Sequence, residues 1–381
     1  MEGTIGFEKE VQDMDISVIG ASGDVGTETV NQLLAGRVLT PSERLQLVGR
    51  VEGKSSSKLY GLQSDLSDAY AEVTPELEVV LTPEKIRGDI VILAAGAPVT
   101  APNQTRNELA RLNLPLFRRY AQAIAAHGHG RELVLVVSNP VELAVEVFSQ
   151  YLGRHRVIGV GGYSDSLRFR REIAHDLGVR RQLVHAFVVG EHGDNMVPLW
   201  SSVGIFGRNG AQAVADVARL RGERVTARFP AEVDEHRTAV MEYLRQGKVR
   251  EAFERVDQLP ADLRVVLRPY ITLLSGAKTS IATANVIVDL VRTLVEGREV
   301  VVCGQVRLDG ELSDLHVPVG VPVVIDARGW TQVVPLELWA DEAQLLARAA
   351  EGLSERIRDW LGVQADESAI KKKEKTKEIA S

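Results

Sequence analysis

Two hydrophobic rhythms alternate over the first part of the chain. Short, nearly continuous apolar runs, DISVIG (15–20), RLQLVG (44–49), DIVILAAG (89–96) and ELVLVVSNP (132–140), are separated by stretches of helical period. Runs of that kind are what strands buried on both faces look like. In ASGDVGTETVNQLLAG, Val25, Val30, Leu33 and Leu34 share one helical face, and RNELARLNLPLFRRYAQAIAAH has the same period. Strands alternating with helices predict an α/β unit over 15–154, a doubly wound parallel sheet with helices on both sides. From about 155 the texture changes. Helical patterns (SDSLRFRREIAHDLG, KTSIATANVIVDLVRTLVEG) mix with strand-like runs (HAFVVGEHG, EVVVCGQVRL, VPVVIDARG), which predicts an α+β second domain over 155–364. Within it, 229–262 is charged, helical and bracketed by prolines. Residues 1–14 read as a polar extension, and 365–381, ending KKKEKTKEIAS, as a solvated, disordered charge run.

Composition narrows the function. The chain has 381 residues, 45% of them hydrophobic and 25% charged, enough for two domains and a sizeable core. No apolar run approaches the roughly 18 residues that a membrane span requires, and the N-terminus lacks the pattern of a signal peptide. A single cysteine, Cys303, excludes an internal disulfide and a cysteine-based metal cluster. A formal net charge of −7 argues against nucleic acid as a partner. The expectation is a cytoplasmic protein that binds a small molecule, with no metal site.

The first strand ends in GASGDVG (20–26), which opens a helix. Small residues there let backbone N–H groups approach a pyrophosphate at a helix N-terminus, so Gly20, Ser22, Gly23, Asp24, Val25 and Gly26 form a candidate dinucleotide cradle. The second strand should then end in an acid that accepts the ribose 2′-OH. It ends in Val48, Gly49 and Arg50, and the first acid after it is Glu52. Arg50 is a bidentate phosphate donor, with the hydroxyls of Ser55, Ser56 and Ser57 following. That chemistry fits NADP(H) better than NAD(H).

Further on, VVGEHGDNMVPLW (188–200) places His192 at a strand end, GGYSDSLRFRR (161–171) puts Asp165 and Arg168 on one helical face, and SNPVE (138–142) closes the fourth strand. With the late GAKTSIATA helix start, these motifs stand in the order found in the lactate/malate dehydrogenase family, which the chain resembles over most of 15–360. The glycine loop followed by LVGR and KLYGL is most similar to the archaeal-type NADP-using malate dehydrogenases. The resemblance implies a Rossmann-type nucleotide domain, a substrate domain and a homodimer or homotetramer. It implies that His192 is general acid and base, that Asp165 orients it, that Arg168 grips the substrate carboxylate, and that Arg106 polarises the carbonyl from a mobile loop. Asn139 would bond near the nicotinamide or the substrate hydroxyl, and Ala95, Gly96 and Asn113 would join the cofactor set. Thr279 or Ser280 would line the pocket.

Two departures qualify this. A malate enzyme of the family has an arginine in the loop before Arg106, whereas here Val99 or Thr100 occupies that place and APVTAPNQT carries no cation. The helical stretch 229–262 adds about 30 residues and reads either as an altered pocket wall, lid or subunit contact, or as a surface elaboration. The expected activity is an NADP(H)-dependent oxidoreductase of a non-standard 2-oxo/2-hydroxy acid. The alternatives are a divergent malate dehydrogenase acting on oxaloacetate and a catalytically silent nucleotide-binding relative. A metal- and NAD-using glycosidase of the same fold is disfavoured, because Cys303 lies outside the motif.

Overall fold

The computed structural model describes residues 14–97, 105–193 and 195–362. Val99, Thr100, the tail 365–381 and all but the last residue of the N-terminal extension lie outside them.

The first half alternates strand and helix: β1 (Ile16–Ile19), α1 (Asp24–Ala35), β2 (Arg44–Val48), α2 (Ser55–Ala69), β3 (Glu76–Val80), β4 (Ile90–Leu93), α3 (Arg106–His127), β5 (Leu133–Val136), α4 (Val141–Leu152) and β6 (Val157–Gly159). The second half runs α5 (Gly161–Leu177), β7 (Val184–Gly190), β8 (Met196–Ile205), α6 (Gly210–Arg221), α7 (Phe229–Arg245), α8 (Val249–Asp257), α9 (Ala261–Leu274), α10 (Ser280–Val295), β9 (Val300–Arg307), β10 (Pro318–Asp326), β11 (Gly329–Val333) and α11 (Ala340–Leu361).

All these strands join one sheet in the order β3-β2-β1-β4-β5-β6-β9-β10-β7-β8, with β11 on β10. The first six are parallel. The order reverses direction from β1, so the crevice between β1 and β4 opens at the carboxyl edge, where ligands bind in such sheets. An antiparallel pairing, Gly159 with Gln305, joins β6 to β9 and carries the sheet into the second half.

Side-chain alternation decides what each face covers. Ile16, Val18, Ile90, Ile92, Leu133 and Leu135 pack on one side with Val30 and Leu33 of α1 and Ile287 and Leu290 of α10. Ile19, Val91, Leu93, Val134 and Val136 pack on the other with Phe117 and Ile124 of α3 and Val145 and Phe148 of α4. Both faces of the parallel half are therefore covered, as the continuous apolar runs require.

Four strands escape the sequence pattern, among them the short β11 that pairs with β10. β3, ELEVV, sits at the sheet edge, and its Glu76 and Glu78 pair with Arg44 of β2. β6 is three residues long, and β8 follows directly on the His192 loop. The stretch 229–262 forms α7, α8 and the first two residues of α9. It buries Phe229, Val233, Val240, Ala252 and Val256.

Candidate active site

The glycine loop turns between β1 and α1. Gly20 donates its N–H to the Val48 carbonyl at 2.9 Å, which holds the loop at the end of β2. A side chain on Gly26 would run into the Gly20 carbonyl, so α1 can approach the strand this closely only with glycine there. Gly23 caps α1 without a side-chain hydrogen bond, which leaves the N–H groups of the first turn facing outward, as an anion requires. Gly49 and the exposed Arg50 follow β2, and Ser22 and Ser55 touch through their hydroxyls at 3.0 Å. The Arg50 N–H faces the Ser55 hydroxyl at 3.5 Å, and Ser56 follows in the first turn of α2. Lys58, not singled out from the sequence, donates from Nζ to the Ser22 carbonyl at 2.5 Å and puts a second cation at this edge.

Three expected contributors have other partners. The Asp24 carboxylate is taken by Lys278. Asn113 is buried; its Oδ1 accepts from Ala97 N–H at 2.7 Å and its Nδ2 donates to the Asn139 carbonyl at 2.6 Å. Its amide therefore clamps the loop after β4, with Ala95 and Gly96, to the loop after β5. Asn139 itself is exposed, with its side chain accessible from solvent. Thr279 caps α10 and Ser280 begins it. Because α10 packs along α1, this end is tied to the glycine loop through Lys278, and among the described residues no hydrogen bond joins Thr279 or Ser280 to His192.

The catalytic candidates converge. His192 Nδ1 lies 2.7 Å from Asp165 Oδ2, and the other Asp165 oxygen accepts from Arg168 Nη1 at 2.7 Å. Asp165 is 1% exposed, while Arg168 and His192 keep 17% and 25% of their side chains open. A Cβ on Gly161 would come within 2.5 Å of the imidazole, so the N-terminus of α5 gives the ring its place. Burial pushes the Asp165 carboxyl up, but His192 and Arg168 outweigh it and hold it below its usual range. Burial disfavours the imidazolium, yet Asp165, with help from Glu142, holds the His192 pKa above its ordinary value. The result is an oriented imidazole whose charged form is favoured, beside a largely buried guanidinium.

Arg106 begins α3, where Thr105 and Glu108 form a capping box. Its Nη1 donates to Glu191 Oε1 at 2.8 Å and lies 3.7 Å from Glu142 Oε2, and its Nη2 donates to the His192 carbonyl. Glu191 Oε2 accepts from Arg356 Nη2 of α11 at 2.6 Å and from Asn195 at 2.5 Å. Both acids are fully buried. Glu142 and Glu191 stand inside the motifs SNPVE and GEHGD, so they were visible in sequence but unmarked. Arg356, 164 positions from His192, left no signal there.

The family description "lactate/malate dehydrogenase, NAD binding domain" matches residues 14–159, and "lactate/malate dehydrogenase, alpha/beta C-terminal domain" matches 164–244. Fold and site thus define an oxidoreductase acting on the CH–OH group of hydroxy acids. The chain belongs to the lactate/malate dehydrogenase family. It is 30% identical over 351 residues to the L-2-hydroxycarboxylate dehydrogenase (NAD(P)(+)) of Methanocaldococcus jannaschii, covering 89% of this chain and 96% of that one. It is 31% identical over 343 residues to the malate dehydrogenase of Methanothermobacter marburgensis, covering 88% and 94%. Among solved structures, the malate dehydrogenase from Aeropyrum pernix superposes with a TM-score of 0.71 at 25% identity, covering 90% of this chain and 97% of that chain. Among the described residues no helix is long and apolar enough to cross a membrane, and no group of His, Cys, Asp and Glu is placed to hold a metal.

Proposed function

We propose that the protein is an NADP(H)-dependent dehydrogenase interconverting a 2-oxo acid and its 2-hydroxy acid, on a substrate other than plain malate. The reading rests on one observation, the imidazole held at 2.7 Å by a buried carboxylate that a guanidinium also grips. The nucleotide cradle fits the cofactor: first-turn N–H groups without a side-chain cap, a position closed to any Cβ, and no acid at the end of β2. Gly20, Ser22, Gly23, Val25 and Gly26 would hold the pyrophosphate, and Arg50, Lys58, Ser55 and Ser56 a 2′-phosphate. When bound there, the nicotinamide supplies or accepts the hydride.

The chain's own residues do the rest. Arg168 binds the substrate carboxylate through a planar fork. His192 gives a proton from Nε2 to the carbonyl oxygen in reduction and removes it in oxidation. Asp165 fixes the tautomer by taking the Nδ1–H, and stabilises the imidazolium. Arg106 polarises the carbonyl when it turns to the substrate. Residues 15–154 serve the nucleotide and 155–364 the substrate, and the protein works in the cytoplasm as a homodimer or homotetramer.

The substrate assignment follows from charge. The segment that should carry a second carboxylate-binding arginine has Val99 and Thr100, and Arg356 of α11 is hydrogen-bonded to Glu191. The test is oxidation of NADPH and NADH against oxaloacetate, pyruvate and bulkier 2-oxo acids. Turnover of the bulkier acids with NADPH is expected. Preference for oxaloacetate would make the protein a divergent malate dehydrogenase, and silence across the panel would overturn the reading. Arg50→Ala should raise the KM for NADPH far more than that for NADH; equal effects would remove the phosphate role.

A further inference from the structure

Glu142 occupies an unusual position in this site. It sits in the first turn of α4 with its carboxylate fully buried. Oε1 accepts the backbone N–H of His192 at 2.7 Å. Among the described residues Oε2, which is buried, accepts no hydrogen bond, and the guanidinium of Arg106 lies 3.7 Å from it. One carboxylate thus touches the backbone of the acid–base residue and faces the carbonyl-polarising residue.

We propose that Glu142 is a positioning residue that holds Arg106 against Glu191 in the substrate-free site and releases it to the substrate by taking up one proton. This inference rests on the roles assigned above to Arg106 and His192. The charged groups around Glu142 come from four elements: Arg106 from α3, Glu191 and His192 from the segment after β7, and, through their partners, Arg356 from α11 and Asp165 from α5. With Arg106 in place, two guanidinium groups balance two buried carboxylates. When Arg106 turns to a substrate carbonyl, Arg356 remains, and its hydrogen bond goes to Glu191. Glu142 is then a buried anion beside another anion with no guanidinium against it and only the His192 imidazolium nearby, which Asp165 already pairs, and such a group neutralises itself by binding a proton. Burial already pushes its carboxyl above the usual range, Arg106 opposes this and Glu191 reinforces it, so removing Arg106 moves it further in the same direction. Oε2, the oxygen without a partner, is the place for that proton.

Substrate binding then draws two protons rather than one over the pH range where Glu142 and His192 both titrate. One keeps His192 protonated and the other goes to Glu142. Each coupled proton raises KM by about tenfold per pH unit above the pKa of its group.

The experiment is calorimetry of oxamate, a non-reducible 2-oxo acid analogue, binding to the NADPH-loaded full chain. It is run in two buffers of different ionisation enthalpy, with log KM for the best 2-oxo acid followed against pH. Glu142→Gln keeps an oxygen for the His192 N–H but cannot take the proton. It should bind oxamate with a proton uptake lower than wild type by up to one, and its log KM should rise with a slope of one where wild type is steeper. Equal uptake in both proteins overturns the proposal. Arg106→Gln guards against poor folding of the first variant. With the cation gone, Glu142 already carries its proton, and the extra uptake should vanish; wild-type uptake in Arg106→Gln also overturns the proposal. A purely structural Glu142 would lower kcat or Tm and leave the proton count unchanged. Absence of turnover in wild type would instead overturn the functional reading itself.

Discussion

His192 and Asp165 set the pH behaviour at the residue scale. The His192 pKa is held above the ordinary 6.5, so reduction, which consumes the imidazole proton, should persist past that value and fall at higher pH. Oxidation should rise through the same limb. For stability the sign is the same as for any raised histidine: the His192 contribution is complete below the unfolded value and is lost as pH rises through the folded one, while that of Asp165, held low, is lost only as pH falls through its own folded value. Asp165→Asn removes the anion that sustains the shift. It should move the limb to lower pH and cut kcat by about 10²–10⁴, with NADPH affinity retained. A pH–rate profile checks this, and an unmoved limb would separate Asp165 from the titration. Arg168, His192 and Asp165 stood out in the sequence because their short motifs occur together in the order of the family that the chain resembles, whereas the spacing of each alone suits an ordinary ion pair or a structural histidine. Asn113, expected in the cofactor set, is the opposite case: its type suits a ligand as well as a backbone clamp, and the clamp becomes visible only with the approach of two loops, after β4 and β5.

At the scale of elements, the helix that carries Asp165 and Arg168 is anchored from behind. Glu172 of α5, 2% exposed, accepts from Arg264 of α9 at 2.7 Å and from Arg171 at 2.5 Å, and Arg264 also reaches Asp176 at 2.7 Å. Burial pushes the Glu172 carboxyl up, but Arg171 and Arg264 outweigh it and hold it low. Its contribution is therefore present above the unfolded carboxylate value and is lost as pH falls through the lower, folded one. Arg264→Ala removes that hydrogen bond and leaves Glu172 with Arg171 and with the Arg268 guanidinium of α9 at 3.6 Å, and should cost about 1.5–3 kcal/mol. Thermal denaturation against pH should show a lower Tm at neutral pH and a shallower acid-side decline than in wild type. A parallel displacement at all pH values would mean that packing, not charge, was lost. This network was illegible in the sequence, because Glu172 and Arg264 are 92 positions apart. β3 was missed for a local reason: as an edge strand it carries Glu76 and Glu78 on the pattern that a central strand fills with apolar residues.

At the scale of the molecule, the question is what 229–262 does for the whole. α7 and α8 pack on α9, and α9 packs on α5, so contact runs from the added helices to the helix of the active site. Arg224 closes the arrangement by joining Glu232 of α7 to Asp262 of α9, and Trp200 of β8 donates to that same Asp262 at 3.2 Å. A loosely attached elaboration would not bury a phenylalanine to 1% exposure, as Phe229 is. The charge that marked this stretch in the sequence is its outer face. The inner face could not be recognised, because its partner, α9, lies just beyond the stretch and reads as an ordinary helix. Phe229→Ala should then cost about 3–5 kcal/mol, and unfolding should remain a single transition in which loss of α7 and loss of NADPH binding coincide. Calorimetry with and without NADPH distinguishes the two architectures. In an integral layer the cofactor raises the one transition, in wild type and variant alike. In an independent module, Phe229→Ala would split off an early transition that NADPH does not move, leaving the dehydrogenase half at its original Tm.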